Sequence, residues 1–575
     1  YFNEQLSVTE RKLGVRINDL KGVATGEVSS GAFQWGPANA PERGFTLLVD
    51  TVGNRAAADA LVTKLANSLA KKGAQIQRAN LQNGTVTSAT ILDKNNRMQT
   101  IQYFVDNKML LATNDHMLLT DVLKRIALPN GQDSLSRSES FETVEGKLNA
   151  AAPNLDADVR WYIIPLDYAA IIRDANEAPR RRRRRDKIKV LRRQGFDSLE
   201  ATGGRVGFAQ NNRDATSVSF VLSPVEKREK AALALTFPPH DALPPDEWIS
   251  RTAGAAAETS WNLPFAFSHI KSLVDDWLDS EGYTDALLSE MAVDPKGLEI
   301  DIEKQVIAQM LGRISVSREV VRPVTKTSEK ILVGVPLANP AQLDKLLRQR
   351  LKRDNSIVYH DVVDGDSKTL AIVWEMRPPK TKPADGPRRE GFGKPDAKPK
   401  PAPVRVIVKA VNPGITIFNG RFFFCNDWRH LEKFVRSDWK KIKKLSVDAD
   451  YLRVVNELDL IAVDEIGGTS ISQFRRLAEA YRINYELARQ NKMGESDTML
   501  VRMIRSFLTE DEEEDEPEEP EEPEPPKIDG TKLPPFGNIE MKLGFSGYRV
   551  YTRDDGWMIY SVVIPRHPHD PHTDN

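Results

Sequence analysis

An internal repeat is the sequence feature that most constrains the fold of this chain, because a folding unit used twice sets the order of most elements. In one pair of matching segments, Ile91 and Leu92 align with Ile372 and Val373. The sequence therefore predicts two related modules. Four blocks of apolar, glycine and asparagine positions recur in the same order: 48–54 with 333–339, 76–92 with 357–373, 107–115 with 419–427, and 135–148 with 445–458.

Each copy has the pattern of an α+β module. Each copy begins with a glycine-containing segment that precedes a strand and then a helix. The glycines are Gly22 and Gly26 in the first copy and Gly312 in the second. Apolar residues recur at spacings of three and four from Ala57 to Leu69, which is typical of a helix packed on a sheet. We therefore expect an α+β fold in which mostly antiparallel sheets carry packed helices.

Asparagine and glycine residues mark the predicted caps and turns of both copies. Asn54 and Asn339 each follow a strand and stand where a helix N-cap is expected, and Pro340 strengthens the second assignment. Gly84 and Gly365 stand between paired strands as turn residues. The same local chemistry thus recurs at matching points of the two copies.

Composition shifts divide the chain into regions. The second copy is interrupted at 377–403 by a Pro, Lys and Gly run with almost no apolar residues, which predicts a solvated insertion in a hairpin. The predicted regions are a first α+β module at 1–179, an arginine-rich loop at 180–197, connecting strands with a Trp-containing helical insert at 198–297, a second module with a helical extension at 298–508, an acidic linker at 509–532, and a C-terminal β-hairpin with a histidine-containing tail at 533–575.

Local patterns predict three further elements. Residues 238–290 have a helix-like pattern with several tryptophans, and residues 471–508 are predicted to form one long surface-covering helix. Apolar runs on both sides of Asp554, Asp555 and Gly556 predict a β-hairpin, because an Asp-Gly turn between such runs favours that connection.

Composition excludes several classes of protein. The 575 residues include 81 Lys and Arg against 82 Asp and Glu, and no uninterrupted apolar run is long enough to span a membrane. The single Cys425 excludes an intrachain disulfide, and its place after three phenylalanines favours a buried thiol over a nucleophile. The chain starts at Tyr1 without a signal-peptide pattern, so we expect a mature product or a fragment.

A basic run is the strongest partner signal: it consists of Arg180, Arg181, Arg182, Arg183, Arg184 and Arg185. Guanidinium groups bind phosphates and carboxylates, so the run is a candidate polyanion-binding element, while a solvated loop is the alternative. The absence of interleaved aromatic residues and the formal net charge of −1 argue against nucleic acid as a partner. The acidic segment 510–526 could neutralise these arginines within one molecule or between copies.

Chemical motifs are otherwise weak. His567, His569 and His572 are candidate ligands for a divalent metal, but the prolines between them limit chelation, and a frayed tail is favoured. No nucleotide-binding glycine signature, P-loop, zinc-protease helix or serine-hydrolase elbow is present. The sequence therefore predicts no cofactor, no metal site and no catalytic residue.

Several glycine-containing stretches carry a likeness to known proteins. Leu13-Gly14, residues 19–28, 138–148 and 301–312, and the ending 553–557 resemble a large family of exported bacterial proteins of unknown function. The resemblance covers almost the whole chain and implies a duplicated α+β module, with a signal peptide and a further segment ahead of Leu13. It implies no catalytic residue, because the matching positions are structural glycines and apolar residues.

These observations favour a non-catalytic exported protein that acts as a periplasmic or cell-envelope binding or scaffolding component. Its expected partners are other proteins or cell-envelope components, a membrane anchor is expected only ahead of Tyr1, and the oligomeric state is left open. Two alternatives stay open: an enzyme with an active site between the duplicated modules, and polyanion or nucleic-acid binding through the arginine run. A cytoplasmic location is the alternative to export.

Overall fold

The structure of this chain is a computed structural model. It describes residues 10, 13–35, 42–81, 83–92, 98–128, 134–176, 186–241, 243–294, 299–354, 357–363, 369–377, 412–437, 441–463, 465, 468–491 and 529–566. Within them the chain divides into two compact units. The first contains the described residues up to 145 together with 163–188 and 199–201, and the second contains the others.

Two sheets and a set of helices confirm the predicted α+β class. The strands are β1 (Val28–Trp35), β2 (Glu42–Asp50), β3 (Gln75–Leu81), β4 (Gly84–Leu92), β5 (Met98–Val105), β6 (Met109–Thr113), β7 (Val159–Ile163), β8 (Ala201–Gln210), β9 (Arg213–Leu222), β10 (Ala255–Ser260), β11 (Arg313–Val320), β12 (Glu329–Pro336), β13 (Ile357–Val363), β14 (Thr369–Met376), β15 (Gly414–Phe418), β16 (Arg421–Cys425), β17 (Thr469–Arg476), β18 (Phe545–Arg553) and β19 (Gly556–Ile564). The helices are α1 (Arg55–Lys71), α2 (His116–Ala127), α3 (Glu139–Ala151), α4 (Pro165–Asn176), α5 (Lys187–Arg193), α6 (Leu263–Leu278), α7 (Tyr283–Val293), α8 (Pro340–Arg350), α9 (Trp428–Arg436), α10 (Ala449–Ile461), α11 (Leu477–Arg489) and α12 (Gly537–Glu540).

The smaller sheet belongs to the first unit and has the strand order β1-β2-β6-β5-β4-β3. Successive side chains of a strand point to opposite faces, so both faces of this sheet can carry a helix. On one face Leu61 and Leu65 of α1 pack in a core with Tyr103. On the other face Leu119 of α2 packs with Leu111. The sheet therefore carries one packed helix on each face.

The larger sheet has the order β13-β14-β15-β16-β12-β11-β10-β17-β18-β19-β9-β8-β7. Its paired strands from β13 to β9 are antiparallel. Leu343 and Leu347 of α8 pack with Trp374 on one face. The predicted C-terminal hairpin is confirmed as β18 and β19, and it lies inside this sheet between β17 and β9.

Both sheets contain the same succession of six strands. The order β11-β12-β16-β15-β14-β13 in the larger sheet repeats β1-β2-β6-β5-β4-β3 of the smaller one. The helices α1, α2 and α3 occupy the same places in the succession as α8, α9 and α10, and β7 with α4 corresponds to β17 with α11. Descent of both modules from one ancestral unit stays a prediction.

Strand registers correct two sequence matches. Following the ladders from β6 and β16 makes Val86 equivalent to Val373, so the match of Ile91 and Leu92 to Ile372 and Val373 is wrong. The connection between β13 and β14 is longer than that between β3 and β4, and an even shift keeps apolar side chains on the same face. The alternating pattern alone therefore could not reveal the shift.

The second correction concerns β2 and β12. Leu48 pairs with Leu111, and Gly334 pairs with Phe423, so Leu48 is equivalent to Gly334 and not to Val333. The asparagines that start the next helices match as predicted. The loop before α8 is therefore one residue shorter than the loop before α1.

Two helix predictions are wrong in part. Among the described residues of 238–290, α6 and α7 are the helices, and residues 255–260 form β10. Residues 471–476 belong to β17, the helix α11 begins at Leu477, and residues 492–508 lie outside the described residues. Both misassigned stretches pair with strands distant in sequence, and such pairing outweighs local helix propensity.

Candidate functional site

Several predicted features lie outside the described residues, and their roles stay predictions. They are Arg180, Arg181, Arg182, Arg183, Arg184 and Arg185, the turn residue Gly365, most of the 377–403 insertion, the acidic segment 510–526, and the histidines His567, His569 and His572.

The described glycines stand at the entrances and turns of the modules. Gly26 and Gly312 come just before the first strand of each repeated set, and Gly22 adopts a φ of 80° after a short 3-10 turn. Gly84 begins β4, where a Cβ atom would lie 2.5 Å from the carbonyl oxygen of Val105. A larger residue at this hairpin would therefore push neighbouring backbones apart.

Asn54 and Asn339 both occupy helix N-cap positions but make different hydrogen bonds. Asn339 accepts a bond from the Gln342 N–H at 3.1 Å, which caps α8. Asn54 makes no side-chain cap bond; its Nδ2 donates to the carbonyls of Gly22 and Val23 at 2.9 and 3.0 Å. Its position is as expected, but its side chain ties the entry segment to α1.

Another pair of asparagines makes the same hydrogen bond in both modules. Asn114 Oδ1 accepts from the Phe45 N–H at 2.7 Å, and Asn426 Oδ1 accepts from the Ile331 N–H at 2.9 Å. Each bond joins the residue after the sixth strand of the set to the second strand. Sequence matching had aligned these two asparagines, and the structure gives them one shared contact.

Replacing Asn426 by Ala should lower the unfolding free energy of the second unit by about 1–3 kcal/mol, because the Ile331 N–H loses its partner. Asn114→Ala should have the same effect on the first unit. Urea titrations followed by tryptophan fluorescence and circular dichroism measure both losses. Asn80→Ala on the exposed strand β3 is the control and should change stability by less than about 0.5 kcal/mol. Unchanged stability in both test variants would contradict the assignment.

A buried group of charges on the larger sheet is the described cluster with the most functional chemistry. We call it the carboxylate–arginine cluster. Four elements position it: β10, β11, β16 and the segment before β10. Its residues are Asp246, Glu258, Arg313, Ser315 and Arg421.

Glu258 is the central carboxylate of the cluster. Its Oε2 accepts hydrogen bonds from Arg313 Nε at 2.9 Å and from Ser315 Oγ at 2.7 Å, and its Oε1 accepts from the Asp246 N–H at 2.8 Å. Only 2% of the residue is exposed. Each oxygen is thus held by donors of the same chain.

Asp246 and Arg421 form the second ion pair of the cluster. Arg421 donates from Nε and from one terminal nitrogen to the two carboxylate oxygens, both at 2.9 Å, which is the fork geometry that guanidinium favours. Ser315 Oγ lies 3.4 Å from Asp246 Oδ2 and so stands between the two carboxylates. The cluster is one connected network.

Burial raises the pKa of Glu258 to about 7, although Arg313, Ser315 and the Asp246 N–H favour its charged form. A carboxyl group with such a pKa has the proton affinity of a general acid or base at neutral pH. Because Glu258 is buried away from solvent, we expect its protonation state to affect the stability of the sheet. Burial also raises the pKa of nearby Tyr451 on α10 to about 12.

A small pocket lies beside Arg421 and has about 10 Å³ of space, roughly enough for one water molecule. Small-molecule sites usually enclose roughly 300–1,000 Å³, so this pocket is undersized for a ligand of that kind. Trp248 stacks edge to face on Phe423 with ring centroids 5.3 Å apart, and its Nε1 has no hydrogen-bond partner among the described residues. The lining residues are Trp248, Phe418, Asn419, Arg421, Phe423 and Phe434.

A second charge cluster surrounds Glu375 on β14. Arg377 and Asn412 donate to its two oxygens at 3.2 and 2.6 Å, and His360 Nε2 lies 3.0 Å from Oε2. Burial opposes the charged form, but these three neighbours outweigh it and lower the pKa of Glu375 to about 2. The ring of His360 also stacks on Trp428, with centroids 3.9 Å apart.

This second cluster joins the residues on both sides of the 378–411 segment, which lies outside the described residues. Arg377 directly precedes that segment and Asn412 directly follows it. Glu375 bonds to both, so its carboxylate joins the two described residues that flank this segment. The arrangement is that of a structural clamp.

Cys425 is a buried thiol, as predicted. It is 0% exposed in β16, and burial raises its pKa to about 12. The Asp427 N–H donates to its Sγ at 3.5 Å. A thiol with so high a pKa is almost wholly protonated at neutral pH and is a poor nucleophile.

Comparison of this chain with protein families, with curated proteins and with solved structures gives no match. Within the described part of the chain, no group of three or more His, Cys, Asp or Glu could hold a metal ion. None of the described helices combines the length and apolar character that crossing a membrane requires.

Sequence reasoning missed the carboxylate–arginine cluster. Its members come from segments far apart in the chain, so their meeting depends on the pairing of β10 with β11. One signal was present: Glu258 is the single charged residue in the run Ala-Ala-Ala-Glu-Thr-Ser. A carboxylate in a strand of small residues indicates a buried position with a specific cationic partner.

Proposed function

We propose that this chain is a non-catalytic binding or scaffolding component that is exported to the cell envelope. The observation that carries the proposal is the internal use of its buried ionisable groups. Glu258 is held by Arg313, Asp246 by Arg421, and Glu375 by Arg377. Each of these carboxylates forms an ion pair within its sheet, which favours a structural role over contact with a substrate.

Long antiparallel strands with paired internal charges make a rigid framework, which suits a scaffold. In the described part of the chain, the larger sheet contains thirteen hydrogen-bonded strands. Rigid sheets of this kind bind partners through their edges and faces without needing a cavity. Export is the part of the proposal that rests on the likeness of Leu13-Gly14, 19–28, 138–148, 301–312 and 553–557 to exported bacterial proteins.

Two experiments on the cells that produce the protein test the proposal: fractionation tests export, and cross-linking tests the binding or scaffolding role. We expect the chain in the periplasmic or envelope fraction, and amine-reactive cross-linking of intact cells should yield a product of reproducible higher mass. Recovery in the cytosolic fraction would refute export. Cross-linking that leaves only the single chain would refute a binding or scaffolding role.

A further inference from the structure

The first strand of each repeated set has a different neighbourhood in the two modules. In the larger sheet β11 pairs with β12 on one side and with β10 on the other. In the smaller sheet the equivalent strand β1 pairs with β2 and, among the described residues, ends the sheet. Among the described residues, the outer edge of β11 is thus covered by β10, and the equivalent edge of β1 is open.

The backbone of β1 directs hydrogen-bonding groups to its open edge. The Asp50 N–H donates to the Glu27 carbonyl at 2.9 Å, which sets the alternation of the β1–β2 ladder. Val28, Ser30 and Ala32 therefore point their N–H and C=O groups away from β2. Such a row of unpaired groups is a template for an added strand.

The covered edge shows which side chains fit an added strand. Apart from Glu258, the strand β10 consists of small residues, and α11 contacts the strands on both sides of it. At Gly254, just before β10, a Cβ atom would lie 2.9 Å from the Cβ of Glu479 on α11. In the first unit α4 also contacts β1, so we expect a strand added there to need small side chains as well.

Charge distinguishes the two edges. In the second module Arg313, next to Gly312, binds Glu258 of the added strand. At the equivalent place next to Gly26, the first module has Glu27, which is exposed and accepts a hydrogen bond from Ser29 Oγ at 2.7 Å. The sign of the charge is reversed, so the complementary strand needs a cation where β10 carries Glu258.

We propose that the open edge of β1 binds an extended segment of another polypeptide as an added antiparallel strand, with small side chains and a lysine or arginine facing Glu27. The inference deepens the proposed binding role, on which it rests, by naming the site and the chemistry of the partner segment. Backbone pairing supplies affinity, and the contact with Glu27 supplies selectivity.

Two peptides test this proposal on the full chain. One copies residues 252–261, and the other carries Lys at the position of Glu258. Fluorescence anisotropy should show tighter binding of the Lys peptide by about two- to fivefold, the effect of one cross-strand charge pair. Glu27→Arg should reverse the preference, and hydrogen exchange should show slower exchange in β1 when the Lys peptide is bound.

Ser30→Pro removes a donor from the open edge and should weaken binding of the Lys peptide at least about tenfold, while Ser30→Ala retains binding. Equal affinity for the two peptides, or a Glu27→Arg variant with unchanged preference, would overturn the proposed selectivity. Sedimentation that shows self-association lost in Ser30→Pro, with neither peptide bound, would identify a second copy as the occupant and refute the proposal. The peptide experiment and the cell fractionation give independent results, so failure of this inference can be told apart from failure of the proposed function.

Discussion

Arg313→Met should lower the unfolding free energy of the second unit by about 3–5 kcal/mol at pH 8.5, because it leaves a buried charge on Glu258 without its cationic partner. At pH 5 the loss should fall to about 1–2 kcal/mol, the cost of a lost hydrogen bond, because Glu258 is then protonated in the folded state. Urea titrations at the two pH values, followed by tryptophan fluorescence, measure the difference.

The sign of this pH dependence follows from the raised pKa of Glu258. The folded state keeps the proton up to about pH 7, whereas the unfolded carboxyl releases it near 4.5. The stabilising contribution is therefore complete below pH 4.5 and is lost as the pH rises through 7. Removal of Arg313 extends this loss of stability to higher pH, because the arginine lowers the pKa of Glu258.

Arg322→Met is the matched control for the loss of one guanidinium group. The side chain of Arg322 is 63% exposed and pairs with Glu479, so its removal should cost less than about 1 kcal/mol at both pH values. An Arg313→Met variant with the same loss at pH 5 and 8.5 would show that the charge state of Glu258 does not govern the stability of the cluster.

Gly556→Ala should destabilise the second unit by about 3 kcal/mol or more. Gly556 has a φ of 146° and begins β19 at the turn of the C-terminal hairpin. An added Cβ would lie 1.9 Å from the carbonyl oxygen of Val221 in β9, so the paired strands β9 and β19 must separate. Thermal and urea unfolding both measure this loss.

Gly420→Ala is the matched control for Gly556→Ala. Gly420 also has a positive φ, 78°, and stands at the turn between β15 and β16, but nothing lies within 4 Å of its added Cβ. We therefore expect only the conformational cost of a left-handed alanine, about 1–2 kcal/mol. Equal losses for the two variants would mean that backbone strain, and not the contact with Val221, sets the cost at Gly556.

Local signals predicted the elements whose geometry depends on neighbouring residues. The Asp554-Asp555-Gly556 turn marked the hairpin of β18 and β19, and Asn339 marked the start of α8. The apolar spacing from Ala57 to Leu69 marked α1. For the hairpin turn and the cap of α8 the deciding contacts lie within a few residues, and for α1 the periodicity of the apolar residues already marks the face that packs on the sheet.

Elements that depend on distant partners were predicted less well. The small residues of β10 have no strong strand propensity, and the pattern around them predicts a helix, but the stretch pairs with β11 and β17 as a strand. The match of Ile91 and Leu92 to Ile372 and Val373 is wrong because alternation repeats every two residues, so an even shift leaves the pattern unchanged. Pairing energy between strands, which local patterns do not contain, decided both cases.

From the sequence alone came the α+β class, the C-terminal hairpin, the burial of Cys425 and the expectation of two related modules, because these follow from periodicity, turn chemistry and internal likeness. Only the tertiary structure decided which charges meet. Glu258 and Arg313 are 55 residues apart, and their pairing is a consequence of the antiparallel register of β10 and β11. That register also shows the contrast with β1, which ends its sheet among the described residues and is preceded by Glu27 at the place of Arg313.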